Sequence, residues 1–186
     1  MTSLQYGLRA PHLRRKFEAW CKDRKGATAV EFGLVAAPFF FIIFGLLELC
    51  LVFIMSTVME HSINEAARMI RTGQAQESGF TETEFRNKVC SEFFDLLDCS
   101  SKLHIDVKSL SGFGSSNTDM PLDGEGNFDD SGFDYEPGGP NEVVAVRIFY
   151  EWDLVTPYIS APLANMAGNK HLLQANAVFR NEPFGD

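Results

Sequence analysis

Residues Phe32 to Met55 read FGLVAAPFFFIIFGLLELCLVFIM, an apolar run of 24 residues interrupted by a single charge, Glu48. As a helix rising ~1.5 Å per residue, this run reaches about 36 Å, against ~30 Å for the hydrocarbon core of a bilayer. Sixteen of its residues are Leu, Ile, Val or Phe. At roughly −0.3 to −0.6 kcal/mol each, they favour insertion by something on the order of 5 to 10 kcal/mol. A central acid opposes that by ~3 kcal/mol, so insertion wins. The alternative is a core helix of a soluble protein, but such a helix is rarely apolar on every face for this long.

The flanks orient the run. Residues 1–26 carry seven Lys and Arg against two acids, while the remaining chain carries nine against 23. A basic head before an apolar block and an acidic body after it predicts a cytoplasmic N-terminus under the positive-inside rule. The run exceeds the ~7–15 residues of a secretory h-region, and no small-x-small site closes it before Ser56. The expectation is a single pass through a bacterial inner membrane, with everything from about Ser56 on the periplasmic side. The overall charge of −9 argues against a nucleic-acid partner, which would need a basic field.

Beyond the run the pattern predicts a small α+β domain. Met59, Ile63, Ala66, Ala67 and Ile70 continue the helix amphipathically to about Arg71, and Gly73 and Ser78-Gly79 stop it. Thr81 with Glu84 forms a capping box opening a second helix to about Leu97, with Phe85, Val89, Phe93 and Leu96 on one face. Leu103, Ile105 and Val107 alternate with His104, Asp106 and Lys108 as a half-buried strand. Glu142 to Trp152 supplies a second strand, with Val144, Val146, Ile148 and Tyr150 on one side, and Leu172 to Arg180 a third. Ser111 to Asn141 is rich in Gly, Asp and Ser and reads as a long acidic loop or mobile insertion. The predicted fold is thus a long transmembrane helix running into a roughly three-stranded antiparallel sheet with helices on one face. Its parts are a leader (1–26), a transmembrane helix (27–56) and an exoplasmic domain (57–186) containing the acidic loop (111–141).

Few residues suggest chemistry. Cys90 and Cys99 lie on the oxidising side of the predicted topology and form the natural disulfide pair, the alternative being two buried free thiols. Cys21 falls in the leader and Cys50 in the membrane run. Asp123 to Asp130 places acids at alternate positions, but it lacks the central Gly and distal Glu of an EF-hand, so a solvated acidic loop is preferred. His12, His61, His104 and His171 are scattered, with no nucleophile elbow, zinc motif or phosphate loop beside them. That argues against an enzyme, and no metal or other cofactor is expected. Glu48 is either an intramembrane assembly contact or an acid that is protonated or snorkels to the interface. Glu31 and Glu48 are 17 positions apart, a rotation of about 260°, so they do not share a helix face.

The junction RKGATAVEFG at 24–33 joins basic residues, Gly26, Ala27 and an acid at Glu31 to the start of the apolar run. It resembles the cleavage junction of type IV prepilins. That resemblance implies a cut after Gly26 by a prepilin peptidase, a new amine at Ala27, and a Glu31 carboxylate available to pair with that amine or a neighbour's. The alternative for Glu31 is an acid that complements the helix dipole from the first turn. Residues 14–76, including Glu48, Ala66-Ala67-Arg68 and Arg71-Thr72-Gly73, resemble the TadE-like minor pseudopilins of tight-adherence (Flp-type) pili. Phe32 stands where major Flp pilins usually carry Tyr, and the chain is far longer than those pilins. The resemblance implies a minor subunit or assembly factor. Its implied partners are the prepilin peptidase, sibling pseudopilins, the major Flp pilin and the inner-membrane assembly platform. The competing expectation is an uncleaved, membrane-anchored binding module or adhesin; a calcium-dependent exoplasmic enzyme is a remote third.

Overall fold

The computed structural model describes residues 26–93, 98–99, 101–156 and 159–185. The basic leader through residue 25, including Cys21 and His12, lies outside them, as does the expected end of the second helix at 94–97.

Helix α1 spans Ala27–Arg71, 45 residues without a break despite Pro38. Pro38 has no N–H to offer the carbonyl four residues earlier, a loss that a long apolar helix tolerates among its other intact bonds. The chain divides into two units at Ile43 and Phe44. The described part of the first is the opening of α1, whose large side chains, from Val30 through Ile43, are exposed. The second unit contains the rest of α1 and the folded domain.

Within that second unit one stripe of α1 is buried: Gly45, Glu48, Val52, Met55, Met59, Ser62, Ile63, Ala66, Ala67 and Ile70. The spacing of three and four is that of a helix laying one face on a core. Packing therefore begins at Gly45, well before residue 57, and inside the apolar run. Gly73, at φ +80°, ends the helix in a conformation that favours glycine, and any Cβ there would strike Phe184. A short helix α2, Gln74–Glu77, follows, and then α3, Glu82–Ser91. The expected capping box is present: Thr81 Oγ1 accepts from the Glu84 amide at 3.3 Å, and the Thr81 amide donates to Glu84 at 2.8 Å. The Thr81 amide and then the Thr81 hydroxyl, both donating to it, hold the Glu84 carboxyl below its ordinary range.

Three strands form an antiparallel meander in the order β1 (Leu103–Leu110), β2 (Val143–Asp153), β3 (Lys170–Arg180). Ile105 pairs with Ile148, and Ile148 with Ala175. One sheet face packs Ile105, Val107, Val144, Val146, Ile148, Leu173 and Ala175 against α1 and against Phe85 and Val89 of α3. This is the expected α+β arrangement.

The other sheet face is not left to water. Phe149, Met166 and Leu172 pack there with Leu122, Phe128 and Phe133 from the 111–141 segment. The segment expected as a long loop or mobile insertion is a long loop, and it covers the sheet. It is also tied to the edge of β1, where the Val107 amide donates to the Asp134 carbonyl and the Glu136 amide to the Val107 carbonyl. This cover explains why β2 is buried on both sides at Val143–Val146 and Ile148–Tyr150. It also explains Asp106, which the alternation assigned to the solvent side of β1 but which is 1% exposed. Its Oδ2 accepts from Arg147 Nε at 3.0 Å and its Oδ1 from the Asp134 amide at 3.0 Å. The Arg147 guanidinium lies 5.9 and 5.5 Å from the ring centres of Phe133 and Phe149, a cation–π arrangement.

Candidate functional site

Three places carry the residues singled out from the sequence. At the first, Gly26 immediately precedes α1, and nothing lies within 4 Å of where a Cβ would stand on it. Gly26, Ala27 and Glu31 are all exposed. The absent side chain leaves the backbone at Gly26 without a Cβ in the way. Ala27 and Glu31 are four residues apart on one helix, hence neighbours on the same face one turn on. Among the described residues α1 has no acid in its first turn. Glu31 is its fifth residue, where the helix dipole has largely faded.

The second place is Glu48. It is 5% exposed, and its carboxylate is taken up by the segment that follows β2. Oε2 accepts from the Thr156 amide at 3.0 Å; the Val155 amide donates to Oε1 and the Thr156 hydroxyl to Oε2. A carboxylate with three donors in a buried site is a satisfied group rather than an orphaned charge. One turn earlier Ile159 fills the space beside Gly45, where a Cβ would collide with it. Glu48, for which the sequence left open an intramembrane assembly contact or a protonated or snorkelling acid, is hydrogen-bonded by its own chain. Sequence reasoning missed Val155, Thr156 and Ile159 as its neighbours, because the pairing spans more than a hundred residues. A signal was available, since no charged residue occurs between Asp153 and Lys170.

At the third place Cys90, in the last turn of α3, is disulfide-bonded to Cys99 with their Cα atoms 6.0 Å apart. Both half-buried cysteines pack against the main core. The bridge closes a loop of about ten residues and is expected to stabilise the domain by roughly 2–3 kcal/mol through the entropy of the unfolded chain. Replacing both cysteines by Ser should lower the urea midpoint accordingly; an unchanged midpoint would assign the bridge no such role.

The acidic segment 123–130 folds on itself. Asp123 Oδ1 accepts from the Glu125 amide at 2.9 Å and the Asn127 amide at 2.8 Å, and Leu122 bridges Phe128. The Asn127 and Glu125 bonds hold the Asp123 carboxyl below its ordinary range. This carboxylate is therefore occupied as a turn-forming group. Among the described residues no cluster of three or more His, Cys, Asp or Glu is arranged to hold a metal. His104 sits over the second core, 3.1 Å from Asp130 and 4.2 Å from the Phe128 ring centre, where it packs.

Residues 26–68 match the family model described as TadE-like protein. The chain carries a TadE-like segment. That segment starts at Gly26, includes Glu31 and Glu48, and extends through most of α1. Its helix is long and apolar enough to cross a membrane. Among curated proteins and among solved structures, nothing matches.

Proposed function

We propose that this TadE-like chain is a minor pseudopilin or assembly factor of a tight-adherence pilus. The observation that carries the proposal is the position of the family match, which begins at the residue where the cut is expected and covers the helix that would be transferred. A prepilin peptidase cuts after Gly26 on the cytoplasmic face and releases the basic leader, while the apolar helix stays on the mature chain. The membrane then stores the subunit, and during assembly the exposed apolar face of α1 exchanges lipid for the helices of sibling pseudopilins and the major Flp pilin at the assembly platform. No chemical step is required of the chain after processing, so its work is non-catalytic.

In this mechanism Glu31 acts after the cut. The new Ala27 amine lies beside lipid or a partner helix, where an unpaired charge is costly, and Glu31 one turn away neutralises it or a neighbour's. Glu31→Gln keeps the size and polarity of the side chain but removes the charge. It should leave much of the processing intact while reducing surface pili, counted by electron microscopy against wild type. Glu48→Gln, far along the helix from the cut, should process normally. Normal piliation in Glu31→Gln would remove the pairing role, and the processing reading would then rest on Gly26 alone.

A further inference from the structure

The two edges of the sheet differ. On the outer edge of β1, Val107 exchanges backbone bonds with Asp134 and Glu136, so opposite Val146 it forms a pair without mutual hydrogen bonds. The alternation carries across β2. Val146 and Ile148 bond toward β3, with Ala177 and Ala175 as their partners. The residues between and beside those two, Gln174, Asn176 and Val178, therefore turn their N–H and C=O outward. Leu172 shows the same phase: its amide donates to Asn165 Oδ1 at 2.6 Å and its carbonyl accepts from Asn165 Nδ2 at 3.2 Å. Beyond Leu172, nothing among the described residues pairs with the outward backbone groups of Gln174, Asn176 or Val178.

An open edge is a template for another strand, and proteins guard it with a charge, a proline, a bulge or a cover. β1 has its cover. From His171 to Phe179, β3 has no Lys, Arg, Asp, Glu or Pro, and its register with β2 runs unbroken. Beside this edge, between β3 and α1, runs a groove of about 350 Å³. Ala67, Ala177 and Phe179 give it apolar walls, and Arg68 and Arg71 line it from the helix. No acid lines it, in a chain whose net charge is −9. Arg71 lies 3.4 Å from Glu182, whereas Arg68 is exposed and forms no ion pair among the described residues.

We propose that the outer edge of β3 is a docking site for an extended segment of a partner protein, which adds to the sheet as a fourth strand and brings a carboxylate to Arg68. Main-chain bonds to Gln174, Asn176 and Val178 hold the segment, and apolar side chains on its α1-facing side enter the groove. A second copy of this chain does not fit the edge. Glu48 of α1 bonds Val155 and Thr156 just past the end of β2, where Asp153 pairs with Lys170 at the start of β3. Past the end of β3, the Glu182 amide donates to the Arg71 carbonyl. Hence α1 and β3 run in the same direction. Antiparallel pairing of two β3 edges would point two α1 helices opposite ways, which copies spanning one membrane in one orientation cannot do. The β1 edge of a copy is closed at Val107. Exclusion of the second copy rests on the membrane-spanning reading of α1; the docking site depends neither on that reading nor on the cut after Gly26.

The test uses the full chain in detergent and an end-capped, fluorescein-labelled heptapeptide, Thr-Val-Thr-Val-Thr-Glu-Thr, read by fluorescence polarisation. Wild type should bind it saturably. Asn176→Pro removes only an outward N–H, so the β2–β3 ladder and the urea midpoint should persist while binding is lost. Arg68→Glu should weaken binding roughly five- to tenfold, because an attractive surface pair becomes a repulsive one. The peptide is also made in two versions, N-methylated at alternate residues so that each has a single blocked edge. One version should bind wild type and the other should not, a comparison that holds whatever the proline does to folding. No saturable binding at millimolar peptide, equal binding of the two methylated versions, or wild-type affinity in a folded Asn176→Pro overturns the docking site. A dimer of the chain alone, seen by light scattering and dissociated by Asn176→Pro, would assign the edge to a second copy and overturn it equally.

Discussion

Asp106→Ala is expected to destabilise the domain by about 3–5 kcal/mol, the cost of leaving one partner of a buried ion pair unpaired. The carboxylate is 1% exposed and holds Arg147 on one oxygen and the Asp134 amide on the other. Lys108 adds a weaker contact at 3.3 Å from the rim. Removing the carboxylate leaves the Arg147 side chain, only 13% exposed, without its counter-charge. It also frees an amide that anchors the 111–141 cover to β1. The measurement is urea unfolding of the full chain in detergent, followed by circular dichroism. Asp106→Leu combined with Arg147→Met should recover much of the loss, since apolar replacement of a buried pair is often neutral. A loss below ~1 kcal/mol in Asp106→Ala would mean that the cover contributes little to holding the sheet.

Gly26→Phe is expected to leave the basic leader on the chain. A peptidase acting after Gly26 must bring its catalytic groups onto the backbone there, and a large side chain at that position stands in the way. Nothing in the described structure crowds Gly26, so the effect would come from the protease rather than from misfolding. The variant should accumulate as the longer species in membranes on an immunoblot, and pili should be lost with it. Because the domain core is remote in sequence from position 26, the urea midpoint of this variant should match wild type. Efficient processing of Gly26→Phe would rule out this site as the cut.

Much of this architecture was legible in the sequence because it is written in local periodicities. The helix stripe from Met59 to Ile70, the capping box at Thr81 and Glu84, and the alternation of Leu103, Ile105 and Val107 each depend on neighbours within a few residues. What escaped were contacts whose partners are distant in the chain. Leu122, Phe128 and Phe133 are isolated apolar residues in a Gly- and Asp-rich stretch. Nothing local shows that they converge on Phe149, yet that convergence buries Asp106 and closes the second face of the sheet. Glu48 is the same lesson at the candidate site. As a lone acid in an apolar run it left open an external partner or a protonated, interface-reaching acid, and neither reading named Val155 and Thr156, more than a hundred residues on, which donate to it. Glu31 differs from both, since the spacing from Gly26 that drew attention to it in the sequence is also how it stands on the helix.

The central claim is that this chain is a processed, pilin-like subunit, and the intact mass of the protein tests it most directly. The chain is extracted from membranes of cells that contain an active prepilin peptidase, and its mass and N-terminal peptides are measured without reduction. The account predicts a species beginning at Ala27, lighter by the whole of residues 1–26. A chain still beginning at Met1 under those conditions would contradict it and would favour an uncleaved membrane-anchored binding module.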